Sequence, residues 1–230
     1  MHSPYSALAA HYATVMAEVP YTDWFEYVRG QITPANGRLA ELFCGPGAMA
    51  DAAEARGFQV TRLDASWQSL QTGRGERVLA DAQYLPFRAD VFACLLAANG
   101  SLNYLSDTEA LAGHFEECSQ VLLPGGIYAF DICTVERAYA LHARTFSAAS
   151  GQVSFSHRFS PADCELLSAV QVMTESGVVT ELHRQRIFTG AEIREAAAQA
   201  GLEPTAHCEN YALPVSGENP PMETYILKKA

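Results

Sequence analysis

Glycines and aspartates follow three short apolar runs of the sequence, and together they could hold a nucleoside. Gly45 and Gly47 come after the first run and lead into a helical stretch, which would bring bare backbone and a helix N-terminus to a ligand. Asp64 ends the second run, where a carboxylate can accept hydrogen bonds from both ribose hydroxyls. Asp81, followed by Ala82, ends the third run, where a carboxylate could accept from the exocyclic amine of adenine. The pattern favours a site for a nucleotide or an amino-acid carboxylate.

Each of these residues also has a purely structural explanation. Gly45 and Gly47 could do no more than form a tight turn, because glycine is the usual residue there. Asp64 could cap a helix that starts near Ser66, and Asp81 could be an ordinary turn aspartate. Taken one at a time, the residues leave these alternatives open.

The elements that must position these residues follow from hydrophobic periodicity. From Leu39 to residue 132, short apolar runs alternate with helical stretches, which is typical of parallel βα units. The helix before the last strand has the pattern of a capping box from Ser106 to Glu109, and Pro124-Gly125-Gly126 is expected to end it. Its expected apolar face is Leu111, Phe115, Cys118 and Leu122. The predicted strands are residues 39–43, 59–63, 77–80, 91–97 and 127–132.

The flanking regions have different patterns. Residues 5–29 predict two short amphipathic helices broken by Pro20. Residues 150–188 alternate polar with apolar side chains, which is typical of half-exposed antiparallel strands. A second capping box, Thr189 to Glu192, begins a further helix. Two more strands are expected at residues 205–211 and 224–228.

The predicted fold class is therefore α/β: a Rossmann-like, doubly wound, mostly parallel seven-stranded sheet with N-terminal helices and a small inserted antiparallel sheet. We expect one domain over residues 1–230. Residues 1–32 would form an N-terminal helical lid and residues 150–188 the inserted sheet. Both flank the carboxyl edge of the main sheet in this topology, where they would cover a substrate pocket.

Composition and charge exclude several classes of protein. The chain has 230 residues, of which 49% are hydrophobic, and this is a globular composition. Its net charge of -11 repels nucleic-acid phosphates and anionic lipid, so we expect a small-molecule partner, no nucleic acid and no membrane. No apolar run approaches the roughly 20 residues needed to span a bilayer. The first residues lack a secretory-signal pattern, so a cytoplasmic protein is expected, either a monomer or a homodimer.

The six cysteines lie far apart and never occur as Cys-x-x-Cys. In a cytoplasmic protein this argues against both a disulfide framework and a zinc site. Since no cluster of histidine, cysteine and carboxylate side chains has ligand spacing either, no metal is expected.

Several of these motifs, in this order and spacing, resemble the class I S-adenosylmethionine-dependent methyltransferases. More narrowly, the chain resembles a bacterial group of small-molecule methyltransferases of mostly unassigned substrate. The narrower resemblance is carried by Tyr12, Met16, Pro20 to Trp24, Ser101 to Tyr104 and Glu181 to Phe188. The wider one is carried by Glu41 to Gly47, Asp64, Asp81-Ala82, Asn99 to Tyr104 and Leu123 to Ile127.

The resemblance implies a role for each matching residue. S-adenosylmethionine would be the cofactor, with S-adenosylhomocysteine as product and without a metal. Glu41, Gly45 and Gly47 would hold the methionine part, and Asp64 with Ala65 the ribose. Asp81 and Ala82 would bind adenine. The remaining cofactor contacts implied are Asn99, Gly100, Ser101, Tyr12 and Trp24.

Three positions depart from the family pattern. Phe43 stands where many members have the first glycine of the loop. Pro46 stands where threonine is common, and it removes one backbone donor. Ala13 replaces the aspartate that usually follows the N-terminal tyrosine.

Methyl transfer is a direct displacement, which an enzyme accelerates largely by alignment and by excluding water. A neutral amine needs no base, whereas a hydroxyl acceptor needs one near the attacking atom. The candidate bases are His157, His183, Tyr12, Tyr21 and Tyr104, of which His183 and Tyr104 are the predicted catalytic residues. The alternative for each histidine, which the residue type alone favours, is an exposed or hydrogen-bonded strand residue. The predicted acceptor-binding residues are Tyr21, Asn103, Tyr104 and Arg186, with an ion pair to Glu181 as the alternative for the arginine.

Two other functions fit part of the sequence. Gly45-x-Gly47-x-x-Ala50 with Asp64 also satisfies the dinucleotide fingerprint of an NAD-dependent oxidoreductase. Nearly forty residues before the first strand, and the lack of a role for Asp81-Ala82 at a pyrophosphate, count against it. A non-catalytic S-adenosylmethionine-binding protein remains the second alternative.

Overall fold

The computed structural model describes residues 4–33, 37–214 and 220–230, and its backbone alternates strands with helices. Residues 1–3 of the predicted lid lie outside the described residues. The helices are α1 (Tyr12–Val15), α2 (Tyr21–Arg29), α3 (Ala48–Glu54), α4 (Trp67–Thr72), α5 (Thr108–Val121), α6 (Val135–Leu141) and α7 (Gly190–Gln199). The strands are β1 (Arg38–Leu42), β2 (Val60–Asp64), β3 (Glu76–Leu79), β4 (Phe92–Ala97), β5 (Leu122–Ile132), β6 (Thr145–Ala148), β7 (Val153–Ser160), β8 (Glu165–Thr174), β9 (Gly177–Arg186), β10 (Leu202–Glu209) and β11 (Glu223–Lys229).

Seven of these strands form the main sheet, in the order β10-β11-β5-β4-β1-β2-β3. The first five strands along the chain pair in parallel, and β11 runs antiparallel to both β5 and β10. Because β4 lies in the middle with helices on both faces, every residue of β4 is buried. The predicted Rossmann-like fold with seven mostly parallel strands is confirmed.

A separate sheet of four antiparallel strands, in the order β6-β7-β8-β9, confirms the predicted inserted sheet. The sheet begins at Thr145, earlier than the predicted residue 150. The prediction missed the short edge strand β6 because its side chains are mostly exposed and show no alternation. One face of this sheet packs Val153, Val170 and Val172 against Leu8 of the N-terminal segment, which is residues 4–29.

The N-terminal segment contains the two predicted short helices, α1 and α2, separated at Pro20. A 3₁₀ turn at residues 8–10 precedes them. Trp24, Phe25 and Val28 of α2 are buried against the main sheet, so the second helix is part of the core.

The helix before β5 differs in detail from its prediction. Asp107, not Ser106, is the N-cap, because its carboxylate accepts the Ala110 amide at 2.9 Å. Leu122 is the first residue of β5 and not part of the apolar face of α5, since the backbone becomes extended there. Pro124 to Gly126 accordingly lie within the assigned strand. The buried face of α5 is Leu111, His114, Phe115, Cys118 and Val121.

Among the described residues, no helix is both long and apolar enough to cross a membrane.

Candidate active site

A cavity of about 380 Å³ opens at the carboxyl edge of the main sheet, where β1, β2, β3 and β4 end. This volume lies in the range of small-molecule sites, and the position is where doubly wound sheets bind ligands. The N-terminal segment closes one side of it. The residues that line the cavity are Pro4, Tyr5, Tyr12, Phe43, Gly45, Leu63, Asp64, Ala65, Ser66, Gln68, Ser69, Asp81, Ala82, Gln83, Asn99, Ser101, Tyr104 and Leu105.

The turn after β1 brings its backbone to the cavity. Phe43 has a φ of 52°, in the left-handed region, which accounts for the frequency of glycine at this position. Gly45 lines the cavity, and its amide donates to Asp64 Oδ2 at 2.7 Å. Gly47 begins α3 at a φ of 91°, and a Cβ atom here would overlap the Arg62 side chain. Gly47 therefore shapes the turn from behind, outside the cavity wall.

Asp64 lies at the end of β2 with its carboxylate at the cavity. Each oxygen accepts one backbone amide, from Gly45 and from Ser66, both at 2.7 Å. A carboxylate oxygen has further acceptor capacity, so ribose hydroxyls can still bind. Burial raises the pKa of Asp64, against the lowering effect of these amides. Asp64 was also considered as the cap of the following helix. The N-cap of α4 is instead Ser66, whose side chain accepts the Ser69 amide at 3.2 Å.

The turn after β3 is held from below by a histidine that sequence reasoning missed. Asp81 and Ala82 line the cavity, and the Ala82 carbonyl accepts His114 Nδ1–H at 2.8 Å. His114 Nε2 then accepts the Tyr128 hydroxyl at 2.9 Å. Burial lowers the pKa of His114 to about 4, so the ring is neutral. Nδ1 therefore stays the donor to Ala82, and Nε2 stays the acceptor from Tyr128. Helical spacing placed position 114 near the buried face of α5, but it gave no indication of the contact with Ala82.

Glu41 lies one layer below the cavity. Its carboxylate is buried and accepts the Ala50 amide at 2.7 Å, near the start of α3. Burial raises the pKa of Glu41 to about 8, although the Ala50 and Met49 amides and the charge of Arg62 lower it. The predicted contact of Glu41 with the methionine part of a cofactor stays a prediction.

The segment after β4 contributes two of its three predicted cofactor-binding residues to the cavity wall. Asn99 lines it with a φ of 61°, and its Nδ2 donates to the Tyr21 hydroxyl at 2.6 Å. Ser101 also lines it, while its hydroxyl donates to the Ala98 carbonyl. Gly100 is not among the lining residues, and its amide donates to the buried Asp131 at 2.6 Å.

The two predicted catalytic residues are hydrogen-bonded to each other. The Tyr104 hydroxyl, at the cavity wall, lies 2.8 Å from Nδ1 of His183 on β9. Nε2 of His183 lies 3.1 Å from Glu181, and the Tyr104 hydroxyl lies 3.0 Å from that of Tyr5. Tyr5 and Glu181 were not among the predicted site residues. Four side chains from three distant segments thus form one continuous chain.

Four other candidates lie outside the cavity wall. Trp24 stacks on Tyr211 in the core with ring centroids 4.7 Å apart. The side chain of Asn103 is buried between two backbones, donating to the Arg186 carbonyl and accepting the Cys133 amide. The remaining two predicted residues are Arg186, which pairs with Glu192 at 3.0 Å, and Tyr21, which reaches the site through Asn99.

The alternative base, His157, lies on the inserted sheet with Nδ1 2.8 Å from the Ser168 hydroxyl, and it does not line the cavity. The ion pair considered between Arg186 and Glu181 does not form, because Glu181 faces the N-terminal segment and His183. Within the described ranges, no three histidine, cysteine or carboxylate side chains are grouped to hold a metal ion.

The residues at the cavity fit S-adenosylmethionine by their chemistry. Asp64 offers a carboxylate for the ribose hydroxyls, and Asp81 offers one for the adenine amine. Gly45 and Asn99 face the region between the ends of β1 and β4, where a methionine part would follow the ribose. Phe43, Leu63 and Leu105 supply apolar surface for the purine.

The chain is similar in sequence and in structure to known methyltransferases. A family model described as "Methyltransferase domain" matches residues 40–130. The protein named "Putative methyltransferase YqeM" of Bacillus subtilis is 26% identical over 216 residues, which cover 86% of each chain. The structure of the CcbJ methyltransferase from Streptomyces caelestis has a TM-score of 0.81 at 17% identity, covering 99% of this chain and 98% of that one. An amino pentose methyltransferase from Micromonospora echinaspora, solved with S-adenosylmethionine bound, has a TM-score of 0.73 at 17% identity, covering 100% and 99%.

The fold is therefore that of the class I S-adenosylmethionine-dependent methyltransferases. The family model over residues 40–130 and the similarity to YqeM over 86% of the chain support a methyltransferase. The neighbour solved with S-adenosylmethionine bound supports this cofactor.

Proposed function

We propose that the protein transfers a methyl group from S-adenosylmethionine to nitrogen or oxygen of a small molecule by direct displacement. The observation that carries the proposal is the cavity at which Gly45, Asp64, Asp81 and Asn99 meet, each directly at or after the end of a parallel strand. When bound, the cofactor supplies a methyl group on a positively charged sulfur.

The side chains at the cavity would orient the cofactor, exclude water and take up a proton. Asp64 and Asp81 would fix the two ends of the nucleoside, so that the methyl group has one position in the cavity. Tyr5 and Tyr12 cover the cavity from the N-terminal segment and would exclude water from the reacting atoms. Tyr104 lines the cavity and is hydrogen-bonded to His183, so this pair would take up a proton from the acceptor.

A small acceptor is supported by the enclosure of the cavity between the N-terminal segment and the main sheet. It is also supported by the structural neighbours, which include an amino pentose methyltransferase and a sugar N-methyltransferase. A screen of metabolites with hydroxyl and amino groups, scored by formation of S-adenosylhomocysteine, would identify the acceptor.

The first prediction concerns the ribose contact. Asp64→Ala should weaken S-adenosylhomocysteine binding at least about 100-fold, since two hydrogen bonds to a charged group contribute about 1.5–3 kcal/mol each. Isothermal calorimetry measures the change. Asp163→Ala is the matched control, because Asp163 lies in an exposed turn of the inserted sheet, away from the cavity, where its carboxylate accepts the Ser160 hydroxyl. Unchanged affinity in Asp64→Ala would refute the ribose contact, and tighter binding of NAD than of S-adenosylhomocysteine would refute the proposed function.

A further inference from the structure

Glu181 joins the N-terminal segment to the inserted sheet. Its carboxylate accepts the amides of Tyr5 at 2.9 Å and Leu8 at 3.0 Å, the amide of Ala7, and the Ser6 hydroxyl at 3.0 Å. The residue is fully buried on β9. Burial alone would raise the pKa of Glu181, but the hydrogen bonds from His183 and the N-terminal segment lower it to about 2. The carboxylate is therefore ionised across the physiological pH range.

An ionised carboxylate only accepts hydrogen bonds, so His183 Nε2 must carry a hydrogen to donate to Glu181. In the neutral imidazole, Nδ1 is then the acceptor for the Tyr104 hydroxyl. The Tyr104 oxygen is then free to accept the Tyr5 hydroxyl. The chain of hydrogen bonds therefore starts at the Tyr5 hydroxyl, whose oxygen accepts no hydrogen bond from the other three side chains.

We propose that Tyr5 is a catalytic residue that receives the proton of the methyl acceptor, and that Glu181 is a positioning residue for this step. The inference rests on the proposed methyltransferase function. As the acceptor atom bonds the methyl carbon, the carbon–sulfur bond breaks and its electron pair stays on sulfur. The acceptor proton goes to the Tyr5 oxygen, the Tyr5 proton to Tyr104, and the Tyr104 proton to His183 Nδ1. The resulting imidazolium is paired with Glu181.

The acceptor class follows from this direction. A hydrogen-bond chain that removes a proton suits an acceptor that must lose one. This is a hydroxyl, or an ammonium group that gives up its proton before its nitrogen attacks. The tyrosines act as relays and not as bases, because burial raises the pKa of Tyr5 and of Tyr104.

Glu181 positions both ends of the relay at once. Tyr5 has a φ of 61°, a strained conformation for a tyrosine, and its amide is held by Glu181. Its ring also packs edge-on against His183, with centroids 5.0 Å apart. The same carboxylate fixes the tautomer of His183. One carboxylate thus holds both the N-terminal segment and the histidine.

The tautomer can be tested without an acceptor. Nitrogen NMR of protein with labelled histidines should show His183 with its proton on Nε2, the signal being assigned by its loss in His183→Gln. Glu181→Gln should populate the Nδ1–H form, whereas Glu165→Gln, on the neighbouring strand and paired with Arg184, should change nothing. An Nδ1–H tautomer in the unmodified protein would refute the proposed direction.

Kinetics with the acceptor from the screen test the role of Tyr5. Tyr5→Phe keeps the ring packing and removes the hydroxyl, so kcat should fall about 100-fold or more while S-adenosylhomocysteine affinity stays within about twofold. Tyr139→Phe, at an exposed tyrosine on α6, is the control and should keep full activity. A kcat within about threefold of the unmodified protein would refute the relay. If the unmodified protein does not bind S-adenosylhomocysteine at all, the proposed function itself is refuted.

Discussion

At the scale of single residues, Gly47 shows how a motif position can be fixed by the packing behind a turn. Its left-handed backbone and the Arg62 side chain behind it both exclude a Cβ atom. Gly47→Ala should therefore destabilise the protein by about 1–3 kcal/mol in chemical denaturation. Gly113→Ala is the matched control, since a Cβ atom at this position of α5 meets open space. It should stabilise by about 0.5–1 kcal/mol, and equal effects of the two variants would contradict the explanation.

Glu41 gives a prediction in pH. Because burial raises its pKa to about 8, the folded protein holds a proton that the unfolded chain releases near its ordinary pKa. Stability from this group is full at acid pH and is lost as the pH rises toward 8. Glu41→Gln lacks this titration, so the stability difference in favour of the unmodified protein should shrink between pH 6 and pH 9. Denaturant titrations at both values measure it, and a constant difference would show that Glu41 is ionised throughout.

At the scale of elements, the N-terminal segment is the part whose order should depend on ligand. Tyr5 and Tyr12 lie on the cavity wall, so a ligand there adds contacts to a short segment. Amides of residues 5–24 should exchange more slowly with S-adenosylhomocysteine bound, as measured by hydrogen exchange. Deletion of residues 1–19 should weaken cofactor binding while the main sheet stays folded. Equal protection with and without ligand would make these aromatic residues ordinary packing.

The elements themselves were largely predictable from local pattern. Buried parallel strands such as β4 leave continuous apolar runs, and the Thr189 capping box forms as predicted. Pattern could not predict contacts between distant segments. Glu181 meets the amides of residues 5–8 only after both sheets have formed, and His114 reaches Ala82 only because α5 packs behind the turn after β3. Trp24 was predicted at the cofactor and lies in the core, since an aromatic side chain on an amphipathic helix carries no sign of which cavity it faces.

At the scale of the whole molecule, the predicted chemistry needs no metal. Methyl displacement from a sulfonium requires no Lewis acid, and the acceptor proton has a route to His183. Turnover should therefore be unchanged after dialysis against a chelator, measured as S-adenosylhomocysteine formation per enzyme. Loss of activity on chelation, with recovery on adding a divalent cation, would reveal a site assembled from residues distant in sequence.

The strand order also constrains how the molecule comes to exist. β11 is the last strand along the chain, yet it lies between β10 and β5 and pairs with both. Until residues 223–229 have been synthesised, one edge of β5 has no strand to pair with, and β10 cannot join the main sheet. A nascent chain would therefore expose an apolar edge of β5 while residues 133–222 are synthesised, and the main sheet can be completed only after β11 has been made.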